Sequence, residues 1–207
     1  MKAYFAAAKR TVEEITVKRS RFIAEVFPIG SAEDAEYSIN GIKREYYDAT
    51  HHCYAYIADP NTFRFSDDGE PQGTAGLPML SVLKKREFAY TAAVVTRYFG
   101  GIKLGAAGLV SAYTDALLYA LEHAEIARYS YCALFKITFL YTQCKTVDGV
   151  LREHSATTQH AEYAERVSYT VYIEEERKNT LKNALIENTS GNVTIEECGE
   201  GFFKVES

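Results

Sequence analysis

The chain has no tryptophan, two methionines and four prolines. It has no apolar run of about 18 residues, the length a helical membrane span needs. The short apolar stretch Phe5-Ala6-Ala7-Ala8 is followed at once by Lys9 and Arg10, too soon for a secretion signal. The expectation is a cytoplasmic protein with no membrane partner. Cysteine is sparse: Cys53, Cys132, Cys144 and Cys198 form no Cys-x-x-Cys pair. Such scattered thiols in a reducing compartment read as packing residues, not as a metal or disulfide framework. An excess of positive charge is missing too, because the net charge is −5. A basic nucleic-acid binder is thereby excluded as a whole-chain description, and any phosphate recognition has to come from a local patch.

What is present is a globular composition. Hydrophobic residues make up 47% of 207 residues, enough for two cores. The charge is uneven. Residues 1–130 carry 15 basic and 16 acidic side chains, and residues 131–207 carry 8 and 12. The first part is the better candidate for meeting phosphates.

Periodicity gives an element order. Residues 11–29 read as a hairpin or bent strand around Lys18-Arg19-Ser20-Arg21. Ser31 caps a helix whose apolar face is Ala35, Ile39, Ile42 and Tyr46. Residues 50–57 and 63–65 read as strands, and a short helix with Pro78 in its first turn runs to Lys85, with Thr74 as a possible cap. Tyr90–Phe99 is a strand that enters a glycine turn, and a long helix follows. Beyond residue 130 come a strand from Leu134, a helix from Thr146, strands over 157–163 and 166–173, a helix over 174–188 and a final strand. That order, β-α-β-β-α-β, is the ferredoxin-like arrangement. The expected domains are 1–130 and 131–207, and the fold class is α+β.

Four constellations stand out as chemistry. The first is Arg97-Tyr98-Phe99-Gly100-Gly101-Ile102-Lys103-Leu104-Gly105-Ala106-Ala107-Gly108, where a strand turns on glycines into a helix. Free N–H groups at a helix start attract anions, and Arg97 and Lys103 would add charge; a tight packing turn is the other reading. It is neither a Walker loop nor a dinucleotide fingerprint. The second is Ser66-Asp67-Asp68-Gly69-Glu70-Pro71. Three crowded carboxylates call for a cation or donors nearby. They could hold a metal, act as acid and base, recognise a partner, pin the loop with Arg97 as ion-pair partner, or simply be solvated. The third is His51-His52-Cys53. On a strand His51 and Cys53 share one face and His52 takes the other, so the three cannot form one metal site, and His52 could face the acidic loop. The fourth is cationic and aromatic: Lys18, Arg19 and Arg21 beside Phe22, Lys84-Lys85-Arg86 at a helix end, and Arg97 next to Tyr98 and Phe99. Aromatics beside cations on a sheet suit single-stranded nucleic acid.

These residues together resemble the IMPACT family, of the YigZ type. The resemblance is carried by Lys18–Ile23, His51-His52-Cys53-Tyr54-Ala55, the run Ser66–Pro71 continuing through Gly73-Thr74-Ala75-Gly76 and Pro78, and Val94–Gly101 with Leu104-Gly105. It implies a ribosomal-protein S-five domain-2-like α/β domain, also found as domain IV of elongation factor G. A ferredoxin-like domain resembling domain V of that factor follows. It further implies a translation-linked regulator that binds RNA, the ribosome or a protein partner, and it implies no cofactor. The chain departs from the family pattern at Ala107, where a glycine is usual, and at Ser111, where a cation is common; the first narrows the turn and the second removes a charge. The expected binding residues are Arg21, His52, Asp67, Asp68, Glu70, Gly73, Thr74, Arg97, Tyr98, Gly100, Gly101, Lys103 and Gly105. No nucleophile and base can be paired from spacing, so a metal-dependent hydrolase using Asp67, Asp68 and Glu70 with His52 ranks behind a binding protein.

Overall fold

The structure, a computed structural model, describes residues 2–205. The chain is an α+β protein that divides into two compact units, Ala3–Arg128 and the stretch from Tyr129 onward. Each is described by itself.

The first unit contains β1 (Ala3–Ala7), β2 (Thr11–Val17), β3 (Ser20–Pro28), α1 (Ala32–Glu45), β4 (His51–Asp59), β5 (Thr62–Ser66), α2 (Gly76–Lys85), β6 (Thr91–Tyr98) and α3 (Gly105–His123). Its main sheet has the order β2-β3-β6-β4-β5, antiparallel throughout. Register then decides the two faces. Phe22 and His51 both lie opposite Arg97, and Ala24 and Cys53 both lie opposite Val95, so these side chains share one face. That face is where Phe22 meets Tyr113 of α3, edge to face at 5.2 Å between ring centres. The other face carries Phe27, Tyr56, Ala92 and Val94, which pack against Ala35, Ile39 and Ile42 of α1. The start of α1 is fixed locally: Ser31 Oγ accepts from the Asp34 amide at 3.2 Å, and the Asp34 carboxylate accepts from the Gly30 amide at 2.8 Å.

Strand β1 is an element the sequence pattern did not announce. Alanine is a poor strand former, and Ala3-Tyr4-Phe5-Ala6-Ala7 has no strict alternation. It is held by backbone bonds to a non-contiguous segment: Phe5 donates to the Glu87 carbonyl, and the Ala89 amide donates to Phe5.

The second unit is built from β7 (Ile126–Phe139), along which the chain leaves the first unit, then α4 (Cys144–Glu153), β8 (Thr157–Tyr163), β9 (Val167–Glu174), α5 (Lys178–Asn188) and β10 (Val193–Val205). Within it the sheet runs β10-β7-β9-β8, the ferredoxin-like order. Ala133, Phe135, Ile137 and Phe139 pair across to Ile173, Val171, Tyr169 and Val167 on one face. Val147, Val150 and Leu151 of α4 and Leu181 and Leu185 of α5 close over them. Two boundaries differ from the sequence reading by more than two residues. Strand β7 begins at Ile126 instead of Leu134, because small residues such as Ala127, Ser130 and Cys132 fill its buried positions. Helix α5 begins at Lys178, after a single 3-10 turn at Glu175–Arg177.

Leu181 is fully buried in this second core. Leu181→Ala is expected to destabilise the protein by about 2–5 kcal/mol, the lost transfer energy plus the cavity. Urea unfolding, read as a shift in midpoint, checks it.

Candidate functional site

Three segments meet on the α3 side of the first sheet: the β2–β3 hairpin tip, the loop between β5 and α2, and the glycine turn between β6 and α3.

The hairpin tip is Lys18-Arg19, with φ of 45° and 68°. Two consecutive left-handed residues are what a two-residue hairpin needs to match strand twist, and Asn-Gly is the usual occupant. Two long cationic side chains here cost on the order of 1–2 kcal/mol each. What holds them is the next residue and the turn beneath. Ser20 is fully buried, and its hydroxyl accepts from the Gly100 amide at 3.1 Å and from Arg97 Nη2 at 3.3 Å. A Cβ on Gly100 would stand 2.1 Å from the Arg19 carbonyl, so only glycine admits the hairpin this close.

The acidic loop is pinned, one carboxylate at a time. Asp67 accepts from the amides of Gly73, Ala75 and Gly76 at 2.8, 3.0 and 2.9 Å. It therefore caps the start of α2 from a distance; Thr74 bonds back to the Pro71 carbonyl instead. Gly76 is confined by the Ser66 backbone, which a Cβ would approach to 2.6 Å. Asp68 takes Lys43 Nζ at 2.9 Å and the His52 amide at 2.7 Å. Glu70, buried, takes Arg97 Nη1 at 2.5 Å and the Tyr113 hydroxyl at 2.8 Å, both on Oε1. The three carboxylates thus serve three different sets of donors. Among the described residues no cluster of three His, Cys, Asp or Glu is arranged to hold a metal ion.

Arg97 is correspondingly spent. It is 4% exposed, ion-paired to Glu70, and its guanidinium sits 5.3 Å over the Phe22 ring. Of the cations flanking the glycine turn, Lys103 is the exposed one. Arg21 is exposed but doubly bonded to Glu14, and it lies 5.2 Å over the Tyr98 ring; Tyr98 in turn donates to Asp48. Gly101 and Gly105 both have positive φ, 82° and 74°, and let the chain turn sharply into α3. That helix has no side-chain cap and no acid in its first turn, so its leading amides are open to an anion.

The acidic loop and the glycine turn line one pocket of about 450 Å³. Its walls are Thr50, His51, Glu70, Pro71, Arg97, Phe99, Lys103, Leu104, Gly105, Ala106 and Leu109. The histidine in it is His51. His52, expected at the site, points to the α1 side, where its Nε2 meets the Tyr46 carbonyl at 2.9 Å. His51 Nδ1 lies 2.8 Å from the Asp68 carbonyl, which can only accept, so that nitrogen carries a proton, and in the neutral ring Nε2 is the acceptor. Nε2 is 3.9 Å from Glu70 Oε1. Cys53 does not serve as a nucleophile: its thiol donates to the Asp67 carbonyl, and burial pushes its pKa up to about 12. Sequence reasoning missed His51 and Tyr113 as site residues. A signal existed for each. Strand alternation placed His51 with Cys53, and a tyrosine in the apolar stripe of a helix needs a partner for its hydroxyl.

The fold and site together define a two-domain α+β protein whose first domain carries a pocket roofed by an open helix start and floored by a buried Arg–Glu pair. The comparisons agree with that description. Residues 18–121 match the Impact N-terminal domain, and residues 137–192 match a domain of unknown function, DUF1949. The chain belongs to the IMPACT family. It is 38% identical over 197 residues to IMPACT family member YvyE of Bacillus subtilis, covering 94% of this chain and 91% of that protein. It is 36% identical over 162 residues to IMPACT family member YigZ of Escherichia coli, covering 76% and 78%. A crystal structure of a hypothetical protein, 30% identical, superposes with a TM-score of 0.60 over 94% of this chain and 97% of that one. Among the described residues no helix is long and apolar enough to cross a membrane.

Two outcomes follow for the pinned loop. Arg97→Leu strands a buried Glu70 carboxylate and is expected to cost about 3–5 kcal/mol, read by denaturant unfolding. For Asp68, burial works against the charge, but Lys43 and the His52 amide outweigh it and hold the carboxyl below its usual range. The folded value lies below the unfolded one of about 3.9. The stability it contributes is full above that pH and is lost as the pH falls through the folded value. Asp68→Asn should therefore lower the melting temperature at pH 7 and flatten its decline in the acid range.

Proposed function

We propose that this chain is a non-catalytic binding protein linked to translation, and that its first domain contacts RNA or the ribosome. The observation that carries the reading is the hairpin tip. Two cations, Lys18 and Arg19, are held in a left-handed backbone that glycine would adopt at less cost. Strain retained in this way marks functional surfaces. The tip rests on Gly100, at the turn that leads through Lys103 to the open amides of α3. Phe99 and Ile102 are exposed in the same turn, at 48% and 40%. Exposed cations, an aromatic face and free backbone donors are the parts single-stranded RNA binders combine.

The net charge of −5 supports a second reading, a protein-binding module in translational control. Ribosome co-sedimentation with and without nuclease separates the two, because a protein partner survives the nuclease.

The direct test is fluorescence anisotropy with a labelled single-stranded RNA across a salt series. The affinity is expected to fall linearly in logarithm, with about 0.7 of slope for each phosphate contact. The Lys18→Glu/Arg19→Glu double variant, with Lys103→Glu as a separate check, should weaken binding and flatten the slope. Arg97→Glu is unsuited to this purpose, since it would break the buried pair. Absence of binding at low salt, or binding indifferent to these variants, removes the RNA reading.

A further inference from the structure

The pocket beneath the glycine turn has a composition of its own. Its body is apolar, formed by Pro71, Leu104 and Leu109, with the half-exposed Phe99 ring at one side. Its polar groups lie together. Both bonds to Glu70 end on Oε1, so among the described residues Oε2 takes no hydrogen bond. In its neutral form His51 holds a lone pair on Nε2, because its other nitrogen donates to the Asp68 carbonyl. Arg97, 5% exposed at its side chain and itself a wall of the pocket, has an Nε–H with no partner among the described residues. Lys103 and the uncapped first turn of α3, Gly105-Ala106, complete the lining. An apolar cleft of this size with a few convergent polar groups is the usual form of a small-ligand site.

These features select a ligand class. Glu70 Oε2 and the neutral His51 Nε2 are acceptors, so a fitting ligand offers N–H donors there. The apolar walls and the aromatic ring ask for a flat, apolar body. Lys103 and the helix amides ask for an anion on the ligand. A fatty acid lacks the donors, and inorganic phosphate lacks the body. A nucleotide has all three parts. We propose that this pocket takes a nucleotide, with the base against Leu104, Leu109 and Phe99, its N–H edge toward Glu70 and His51, and its phosphate on Lys103 and the start of α3. A carboxylate accepts well from adjacent donors, as it does from a base amino group. Guanine presents two such donors side by side and uracil one, so guanine is the favoured base. The inference rests on the RNA reading for one source of the nucleotide, an unstacked residue of a strand; the other source is a free mononucleotide.

Isothermal titration of the full chain with GMP, UMP and inorganic phosphate tests it, alongside anisotropy with a short RNA and the same RNA carrying one abasic position. The variant is Ala106→Trp. Ala106 is an exposed residue of the pocket wall, so the indole obstructs the pocket without entering the core. GMP is expected to bind at least about tenfold more tightly than phosphate, with UMP weaker than GMP, and Ala106→Trp to lose at least about tenfold of the GMP affinity. Ala106→Ser, which leaves the pocket open, should keep it. Phosphate binding as well as GMP, or GMP binding untouched by Ala106→Trp, overturns the proposal. If RNA binds but neither GMP nor base removal matters, the pocket inference fails and the RNA reading stands. If GMP binds and RNA does not, the RNA reading fails and the source is the free nucleotide.

Discussion

The ion pair between Arg97 and Glu70 ties the first domain together. Arg97 comes from the end of a central strand, Glu70 from a loop far along the chain, Tyr113 from the middle of α3 and Ser20 from the hairpin. Loss of Arg97 would leave the buried Glu70 carboxylate with only the Tyr113 hydroxyl, and loss of Glu70 would leave the buried guanidinium with no counter-charge. Buried charges are tolerated when they are paired and hydrogen-bonded, and the alternatives are then strongly disfavoured. The four side chains therefore fix the relative positions of four segments that no local propensity would bring together. Both residues of the pair also line the pocket.

Around that pair the loop chemistry becomes intelligible. Three acids within four positions look like a catalytic or metal cluster on paper. In the fold each has its own donors: backbone amides for Asp67, a lysine and an amide for Asp68, an arginine and a tyrosine for Glu70. The crowding is relieved by geometry, because successive residues at Asp68 and Gly69, with φ of 42° and 87°, turn the side chains apart.

Much of the fold was legible in the sequence where periodicity was strong. The stripe Ala35, Ile39, Ile42 and the alternation Val167, Tyr169, Val171, Ile173 each declare a face before any coordinates exist. Legibility failed where the buried residues are small. The first third of β7 fills its inward positions with Ala and Ser, and β1 buries Ala6 and Ala7 beside Tyr4, without alternation; such residues carry little hydrophobic signal, and their partners lie far away in sequence. The site divided along similar lines. That the glycine turn and the acidic loop were special could be read from residue types. An ion pair from Arg97 to the loop was among the sequence readings, and the structure gives it to Glu70; that Glu70 would be the acid, and that His51 and not His52 would face the pocket, depended on strand register and on α1 covering the opposite face. No single segment encodes either fact.

The hairpin tip has an evolutionary corollary. With Gly100 beneath it and two bulky residues in a backbone made for glycine, Lys18-Arg19 is a place where the molecule could become sturdier by losing charge. Random drift toward greater robustness would favour Asn-Gly there. A chain that carries two cations at that corner gives up this robustness in exchange for charge.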